Sequence, residues 1–129
     1  MLIYLSKKGR SKSMKLGELV RHIFIDPTKL ISYSLNKNHK DGGDKAIMFE
    51  QHLGFTQENY ELLLEQIQSK AMDAEAVIGY SDEYGQRYRV DILIVGVELG
   101  QEEIVRTGWL VDPDNDTAKL TTVFIRSRK

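Results

Sequence analysis

The sequence predicts an α+β fold with N-terminal helices packed on one face of a four-stranded antiparallel β-meander. Helical patterns occupy the chain up to about residue 75, and strand patterns occupy most of the remainder. The connections between the predicted strands are too short for parallel crossovers, which require a dozen or more residues. The length of 129 residues is that of one ordinary domain with one core.

Three segments of the first half carry helix signals. Asp26, followed by a proline, is a good N-cap and predicts a short helix that ends near Asn36. Asp44 begins and Gly54 ends a second predicted helix. Thr56 caps a third one, in which apolar residues recur at helical spacing.

Four strand-like segments follow and form two predicted hairpins. Residues 74–80 and 86–96 flank a polar turn that contains glycine. Residues 102–112 and 119–127 flank a turn rich in Asp, Asn and Pro. The apolar segment 17–25 precedes all of these elements, and its pattern fits either a short strand or a lead-in to the first helix.

Alternation along the strands separates two faces of the predicted sheet. The predicted core-facing set is Tyr88, Val90, Ile92, Ile94, Val105, Thr107, Trp109, Val111, Thr121, Val123 and Ile125. The opposite set contains Arg87, Arg89, Arg106 and Arg126, with Asp91 and Thr122 among them. Neighbouring strands lie roughly 5 Å apart, so these guanidinium groups need anions or carboxylates between them. Two interpretations follow: a phosphate-binding surface, or a solvated face on which Asp91 and Glu83 pair with the arginines.

The composition excludes several classes of function. With no cysteine, the chain has no thiol nucleophile, cysteine zinc site or disulfide. No stretch approaches the roughly 20 apolar residues of a membrane span, and the N-terminus lacks the order of a secretory signal, so a cytoplasmic location is predicted. The usual nucleotide-binding, serine-hydrolase and zinc-protease motifs are missing, and no metal or other cofactor is expected.

The net charge of -1 conceals an uneven distribution. Residues 1–45 carry a net charge of +6, residues 46–103 a net charge of -9, and residues 104–129 a net charge of +2. Residues 1–15 are predicted to be a flexible basic arm, and residues 16–129 a single domain. The acidic middle segment favours protein binding, because it repels RNA unless folding separates it from the arginines.

The three histidines are not spaced as helical metal ligands. His39 lies in a polar loop that contains glycine, with Lys45 nearby. A histidine can act there as an acid or a base; the alternative is an exposed residue without a catalytic role. His22 fits a packing role, and His52 lies near a predicted helix end.

Short motifs between residues 29 and 125 resemble those of a bacterial family that is described as a domain of unknown function. The matching residues are Lys29, Leu30, Tyr33, Leu35, Asn36, His39, Gly42, Lys45, Phe49, Leu53, Gly54, Tyr84, Gly85, Arg87, Tyr88, Arg106, Thr107, Trp109, Leu120 and Thr122. Lys40 replaces the proline that commonly follows the histidine, and Gly108 precedes Trp109. Members of the family occur beside small companion genes and as the last modules of larger toxins. The resemblance therefore implies a toxin–antitoxin or effector–immunity pair.

The predicted architecture is similar to the barnase, EndoU, colicin and RelE group of metal-independent ribonucleases. On this interpretation the chain is a toxin-like endoribonuclease whose partners are RNA and a small antitoxin or immunity protein. His39 would be the acid or base, Arg87 and Arg106 the phosphate clamps, and Lys45 and Thr122 their support. The alternative is a non-catalytic protein-binding domain with an immunity or adaptor function.

Overall fold

A curled sheet of six strands forms the centre of a mixed α/β fold. The computed structural model describes residues 13–112, 114 and 116–126. The strands are β1 (Met14–Lys15), β2 (His22–Phe24), β3 (Glu75–Asp82), β4 (Gly85–Val95), β5 (Glu102–Val111) and β6 (Thr117–Ile125). Their order across the sheet is β1-β3-β4-β5-β6-β2.

Four helices accompany the sheet. They are α1 (Leu16–Leu19), a π-helix (Lys29–Ser34), α2 (Gly43–Leu53) and α3 (Tyr60–Lys70), with short 3-10 turns at Gln57–Asn59 and Ala71–Asp73. The predicted local signals are present: Asp26 accepts a hydrogen bond from the Thr28 amide, Gly54 ends α2 with a φ of 75°, and Thr56 caps the turn before α3. No helix within the described ranges is long and apolar enough to cross a membrane.

The prediction of a four-stranded meander was wrong, because two short strands extend the sheet. The four long strands pair antiparallel in chain order, but β1 is added antiparallel to β3, and β2 is added parallel to β6. Strands of two and three residues are too short to show a period in the sequence. Residues 1–12 of the predicted arm lie outside the described residues, whereas Met14 and Lys15 belong to β1.

The inner face of the sheet, which we define as the side covered by α2 and α3, forms the core. Val90, Ile92 and Ile94 of β4 are buried there against residues of both helices, as alternation predicted. Trp109 is fully buried and donates a hydrogen bond of 2.7 Å from its indole nitrogen to the Thr107 hydroxyl. That hydroxyl donates in turn to the Val90 carbonyl at 2.6 Å, so the polar atoms of this core cluster are satisfied.

A β-bulge in β6 shifts the alternation by one residue. Gly108 is paired with Thr122, but its neighbour Trp109 is paired with Leu120, which leaves Thr121 as the extra residue. Leu120 is buried in the core, and Thr121 is only half-buried. The prediction that Thr121 faces the core was therefore wrong, since a bulge of this kind has no signal in the period of the sequence.

Side chains of α3 replace a strand partner along one edge of β4. Strand β3 is paired with β4 only as far as Val90, so later residues of β4 have no strand on that side in the described chain. The Gln66 side chain donates to the Val95 carbonyl at 2.7 Å and accepts from the Val95 amide at 2.9 Å. Lys70 donates to the Leu93 carbonyl at 2.9 Å, which fixes α3 to the sheet.

Replacing Gln66 by alanine should lower the free energy of unfolding by about 1–3 kcal/mol, because the substitution removes two hydrogen bonds to the backbone of β4. Urea denaturation measures the change. Gln68→Ala is the matched control, since Gln68 is exposed on the same helix, and it should change the stability by less than about 0.5 kcal/mol. Equal effects of the two substitutions would contradict a role for Gln66 as a strand substitute.

Candidate functional site on the outer face of the sheet

The outer face of the sheet, opposite the helices, gathers arginines from three consecutive strands. Arg87 and Arg89 lie on β4, Arg106 lies on β5, and Arg126 follows the last residue of β6. Asp91 is paired directly with Arg106 across β4 and β5. The arrangement agrees with the face that alternation assigned to these residues.

Asp91 binds two of these arginines at once. Arg106 donates to both oxygens of the Asp91 carboxylate, from Nε at 2.9 Å and from a terminal nitrogen at 3.1 Å, and Arg126 donates at 3.2 Å. The hydrogen bond from Arg106 is the main cause that lowers the pKa of Asp91, and it raises the pKa of Arg106. One carboxylate thus holds two guanidinium groups, and the group of three retains one positive charge.

Lys45 reaches the same face from helix α2. Its ammonium lies 4.8 Å from the centre of the Phe124 ring, and Phe124 is the direct cross-strand neighbour of Arg106. No carboxylate of the described residues forms an ion pair with Lys45 or with Arg89. The outer face around Asp91 is consequently cationic.

A depression of about 250 Å³ lies on the outer face next to this cationic group. It is lined by Tyr80, Arg87, Tyr88, Gly108, Trp109, Thr121 and Thr122. A Cβ atom at residue 108 would collide with the Thr122 hydroxyl oxygen, so the absence of a side chain at Gly108 makes room for that threonine. Neither threonine hydroxyl is hydrogen-bonded to another described residue.

A second bulge, in β3, lies on the other side of the depression. Ile78 is paired with Tyr88, but Ser81 is paired with Gln86, which leaves one extra residue on β3 between them. The Tyr80 ring in this bulge lies 5.4 Å from the guanidinium carbon of Arg87. Bulges commonly redirect side chains beside binding sites, and here one bulge supplies the tyrosine and the other supplies a threonine.

Arg87 occupies a position separate from that of Arg106. Arg87 is paired with Leu110, four residues along β4 from Asp91, a separation of about 13 Å along the strand. Its terminal nitrogen contacts Asp82 at 3.4 Å, and its Nε is buried with no hydrogen-bond partner in the described part of the chain. Arg87 and Arg106 therefore belong to different parts of the face, and their joint contact with one phosphate stays a prediction.

His39 stabilises the loop at the beginning of α2. Its Nδ1 accepts hydrogen bonds from the amides of Asp41 and Gly42, each at 3.0 Å, and its ring lies 4.3 Å from that of Tyr33. Only Nε2 is left without a hydrogen bond to the described residues. None of these contacts joins His39 to the arginines; its link with the outer face is that Lys45 lies in the first turn of the helix that it precedes.

The structure thus places Lys45, Arg106 and Thr122 at one sheet face. Arg87 lies farther along that face, and His39 lies in the loop just before the N-terminus of α2. Tyr80 and Thr121 were missed as site residues, because bulges bring both of them to the depression. Among the residues that the structure describes, no group of three His, Asp or Glu side chains could hold a metal ion.

Part of the acidic middle of the chain lies away from the cationic face. Glu61 and Glu65 are exposed on α3, whose buried residues Leu63 and Ile67 enter the core on the inner face. The core and the sheet lie between these carboxylates and the outer face. Folding therefore moves these two carboxylates away from the arginines, whereas Asp82 and Asp91 of the same segment form ion pairs with Arg87 and Arg106.

Comparisons with known proteins give one family and one solved structure. The model of a family described as a domain of unknown function (DUF6883) matches residues 15–127. A chain of a contact-dependent growth inhibition toxin–immunity protein complex from Klebsiella pneumoniae 342 has a similar fold, with a TM-score of 0.61 and 17% sequence identity. The match covers 79% of this chain and 98% of that one. No curated protein sequence matches the chain.

Replacing Asp91 by asparagine should lower the free energy of unfolding by about 1–3 kcal/mol at neutral pH, because two arginines lose their shared carboxylate. The lowered pKa of Asp91 means that this stabilisation is fully present above its ordinary value of 3.8 and is lost as the pH falls through the lower value in the folded protein. Urea denaturation as a function of pH measures both effects.

Asp82→Asn is the matched control for this substitution. Asp82 has a single, longer ion pair, at 3.4 Å to Arg87, and its loss should cost less than about 1 kcal/mol. A difference between the wild type and Asp91→Asn that persists unchanged well below pH 3 would contradict the assignment of the stabilisation to the ionised carboxylate.

Proposed function

The chain belongs to the DUF6883 family of domains of unknown function, and we propose that its outer face binds RNA and cleaves it, as a toxin-like ribonuclease that does not depend on a metal ion. The observation that carries this proposal is the pairing of Arg106 and Arg126 with one carboxylate, that of Asp91, with Lys45 over the ring of Phe124, the cross-strand neighbour of Arg106. A cationic face of this kind attracts a phosphodiester and can stabilise the charge that develops on it.

The proposed reaction is attack of an RNA 2′ hydroxyl on the adjacent phosphorus. The 2′ oxygen bonds to phosphorus and gives its proton to a base, while the 5′ oxygen leaves and takes up a proton from the solvent. The products are a 2′,3′-cyclic phosphate and a 5′ hydroxyl. Lys45 and Arg106 are the groups assigned to the phosphoryl oxygens, and Thr122 is assigned a supporting hydrogen bond.

His39 is assigned the acid–base step, which requires the loop to release Nδ1. In the structure Nδ1 accepts from two backbone amides, so the neutral ring carries its proton on Nε2 and has no free lone pair for the 2′ proton. Once Nδ1 leaves the amides, it can take that proton. The assignment is supported by the position of His39 just before the N-terminus of α2, because Lys45 in the first turn of this helix extends to the sheet. Rearrangement of this loop on RNA binding would free Nδ1 and bring the imidazole to the substrate.

A role in a toxin system is supported by the fold. The similar solved chain belongs to a toxin–immunity complex, and its whole length is matched by this chain. Fold similarity at 17% identity does not distinguish a toxin from an immunity protein. The cationic outer face favours the toxin, because RNA is polyanionic.

A second candidate function is that of a non-catalytic immunity or adaptor domain. It is favoured by large apolar side chains that are exposed around the β3–β4 hairpin, namely Ile78, Tyr80 and Tyr84. Such side chains commonly anchor protein interfaces. Induced expression distinguishes the two candidates: growth arrest relieved by the neighbouring gene supports the ribonuclease, and protection against the product of that gene supports immunity.

Replacing Lys45 by alanine should lower the rate of RNA cleavage about 10²- to 10³-fold, because one donor to the developing charge is lost. The assay uses purified protein, total RNA and EDTA, which should leave the wild-type rate unchanged. Lys37→Ala is the control, since the Lys37 ammonium is paired with Glu50 at 2.7 Å and lies outside the outer face. Intact RNA at high concentrations of the wild-type protein would exclude the ribonuclease.

Replacing His39 by asparagine separates catalysis from positioning. An asparagine side chain can accept the hydrogen bonds from the loop amides, so the unfolding free energy should change by less than about 0.5 kcal/mol. Cleavage should fall about 10²- to 10⁴-fold, because asparagine cannot transfer the proton. Full activity of His39→Asn together with loss of activity in His39→Ala would show that His39 only positions the loop.

A further inference from the structure

We infer that the depression between the two bulges is a nucleobase subsite in which a base of the bound RNA stacks on Tyr80. This inference rests on the proposed function, since it names the part of an RNA substrate that binds beside the cationic group. It is carried by the composition of the depression, its size and its distance from Arg106.

The depression combines an aromatic ring with hydrogen-bonding groups that have no partner. Tyr80 is 67% exposed, which leaves ring surface open to a ligand. The hydroxyls of Thr121 and Thr122 and the Nε of Arg87 make no hydrogen bond to the described residues. A nucleobase matches this set, because it presents a flat π surface together with donors and acceptors at its edge.

The shape of the depression depends on features that the sheet would not otherwise require. The floor of the depression is open because residue 108 is a glycine. A Cβ atom at this position would collide with the Thr122 hydroxyl oxygen. The volume of about 250 Å³ accommodates one planar base but not a folded peptide segment. The depression therefore favours a single flat polar ligand over a segment of a partner protein.

The depression lies on the same sheet face as the cationic group, so one RNA strand can contact both. Gly108 lies two residues from Arg106 on the same strand and on the same face, a distance of about 7 Å. Thr122, the cross-strand partner of Gly108, borders both the depression and the cationic group. Tyr80 is farther away, because its bulge lies opposite Arg87, whereas Arg106 is paired with Asp91, about 13 Å along β4. An RNA strand with a phosphate at Arg106 therefore places the base of a nearby nucleotide, and not of the same one, against Tyr80.

The test measures binding of AMP, GMP, CMP, UMP and ribose 5-phosphate to the full chain by NMR titration or calorimetry. At least one nucleotide should bind, and ribose 5-phosphate, which has the phosphate but no base, should bind at least about 5-fold more weakly. Tyr80→Ala should weaken binding of the nucleotide by about 5- to 100-fold, whereas Tyr80→Phe should retain it.

Tyr84→Ala is the matched control, because Tyr84 belongs to the same hairpin and is 64% exposed but does not line the depression. Thr121→Val, which removes one hydroxyl with little change of shape, should alter the preference among the four bases. Equal binding of ribose 5-phosphate and the nucleotides would overturn the subsite in favour of a simple anion site. Absence of nucleotide binding, or an equal loss in Tyr80→Ala and Tyr84→Ala, would also overturn it.

The RNA cleavage assay and the nucleotide-binding test can give opposite results. Nucleotide binding that depends on Tyr80, without any cleavage of RNA, would keep the subsite and exclude the ribonuclease. Cleavage of RNA that is sensitive to Lys45→Ala but unaffected by Tyr80→Ala would keep the ribonuclease and exclude the subsite.

Discussion

The carboxylate of Asp91 allows arginines from two different strands to lie side by side on the outer face. Without an anion between them, Arg106 and Arg126 would repel each other across the sheet. Asp91 binds both, through hydrogen bonds that also fix the direction of the Arg106 side chain. Because one negative charge is shared by two positive charges, the pairing orders the site without neutralising it. A second carboxylate at this position would have produced a purely structural ion-pair network.

The two bulges and Gly108 give the face its shape. A regular sheet presents a smooth surface of alternating side chains, and neither Tyr80 nor Thr121 would contribute to a common depression on such a surface. The extra residue in β3 and the extra residue in β6 change the direction of both strands beside Arg87. The missing side chain at Gly108 opens the space between them. Local irregularities thus convert part of a flat sheet into a concave surface.

The sequence predicted the parts of the fold that depend on long periodic patterns. The alternation in β4 and β5 extends over ten or more residues, and it correctly separated the buried set around Val90 and Trp109 from the arginine face. Strands β1 and β2 are too short to show a period, and the bulges shift the register without any change in composition. The residues of the candidate site show the same difference between regular and irregular segments. The alternation along the strands placed Arg106 and Thr122 on the outer face, but it could not place Tyr80, which lies in a bulge. The hydrogen bonds of His39 to the loop amides were also beyond the sequence, since they depend on the path of a loop.

The position of two acidic side chains bears on the uneven charge of the sequence. If the acidic helices and the arginines shared one surface, their fields would largely cancel at the distances involved, and a polyanion would gain little by approaching. In the folded chain Glu61 and Glu65 are exposed on α3, on the far side of the core from Arg106. The same molecule therefore has a cationic sheet face and acidic side chains on a helix away from it. A toxin that cleaves RNA, as proposed above, would bind its substrate with the first and could present the second to its inhibitor. An inhibitor that binds the acidic helices would leave the outer face open, whereas one that covers the exposed β3–β4 hairpin would also close the depression beside Arg87.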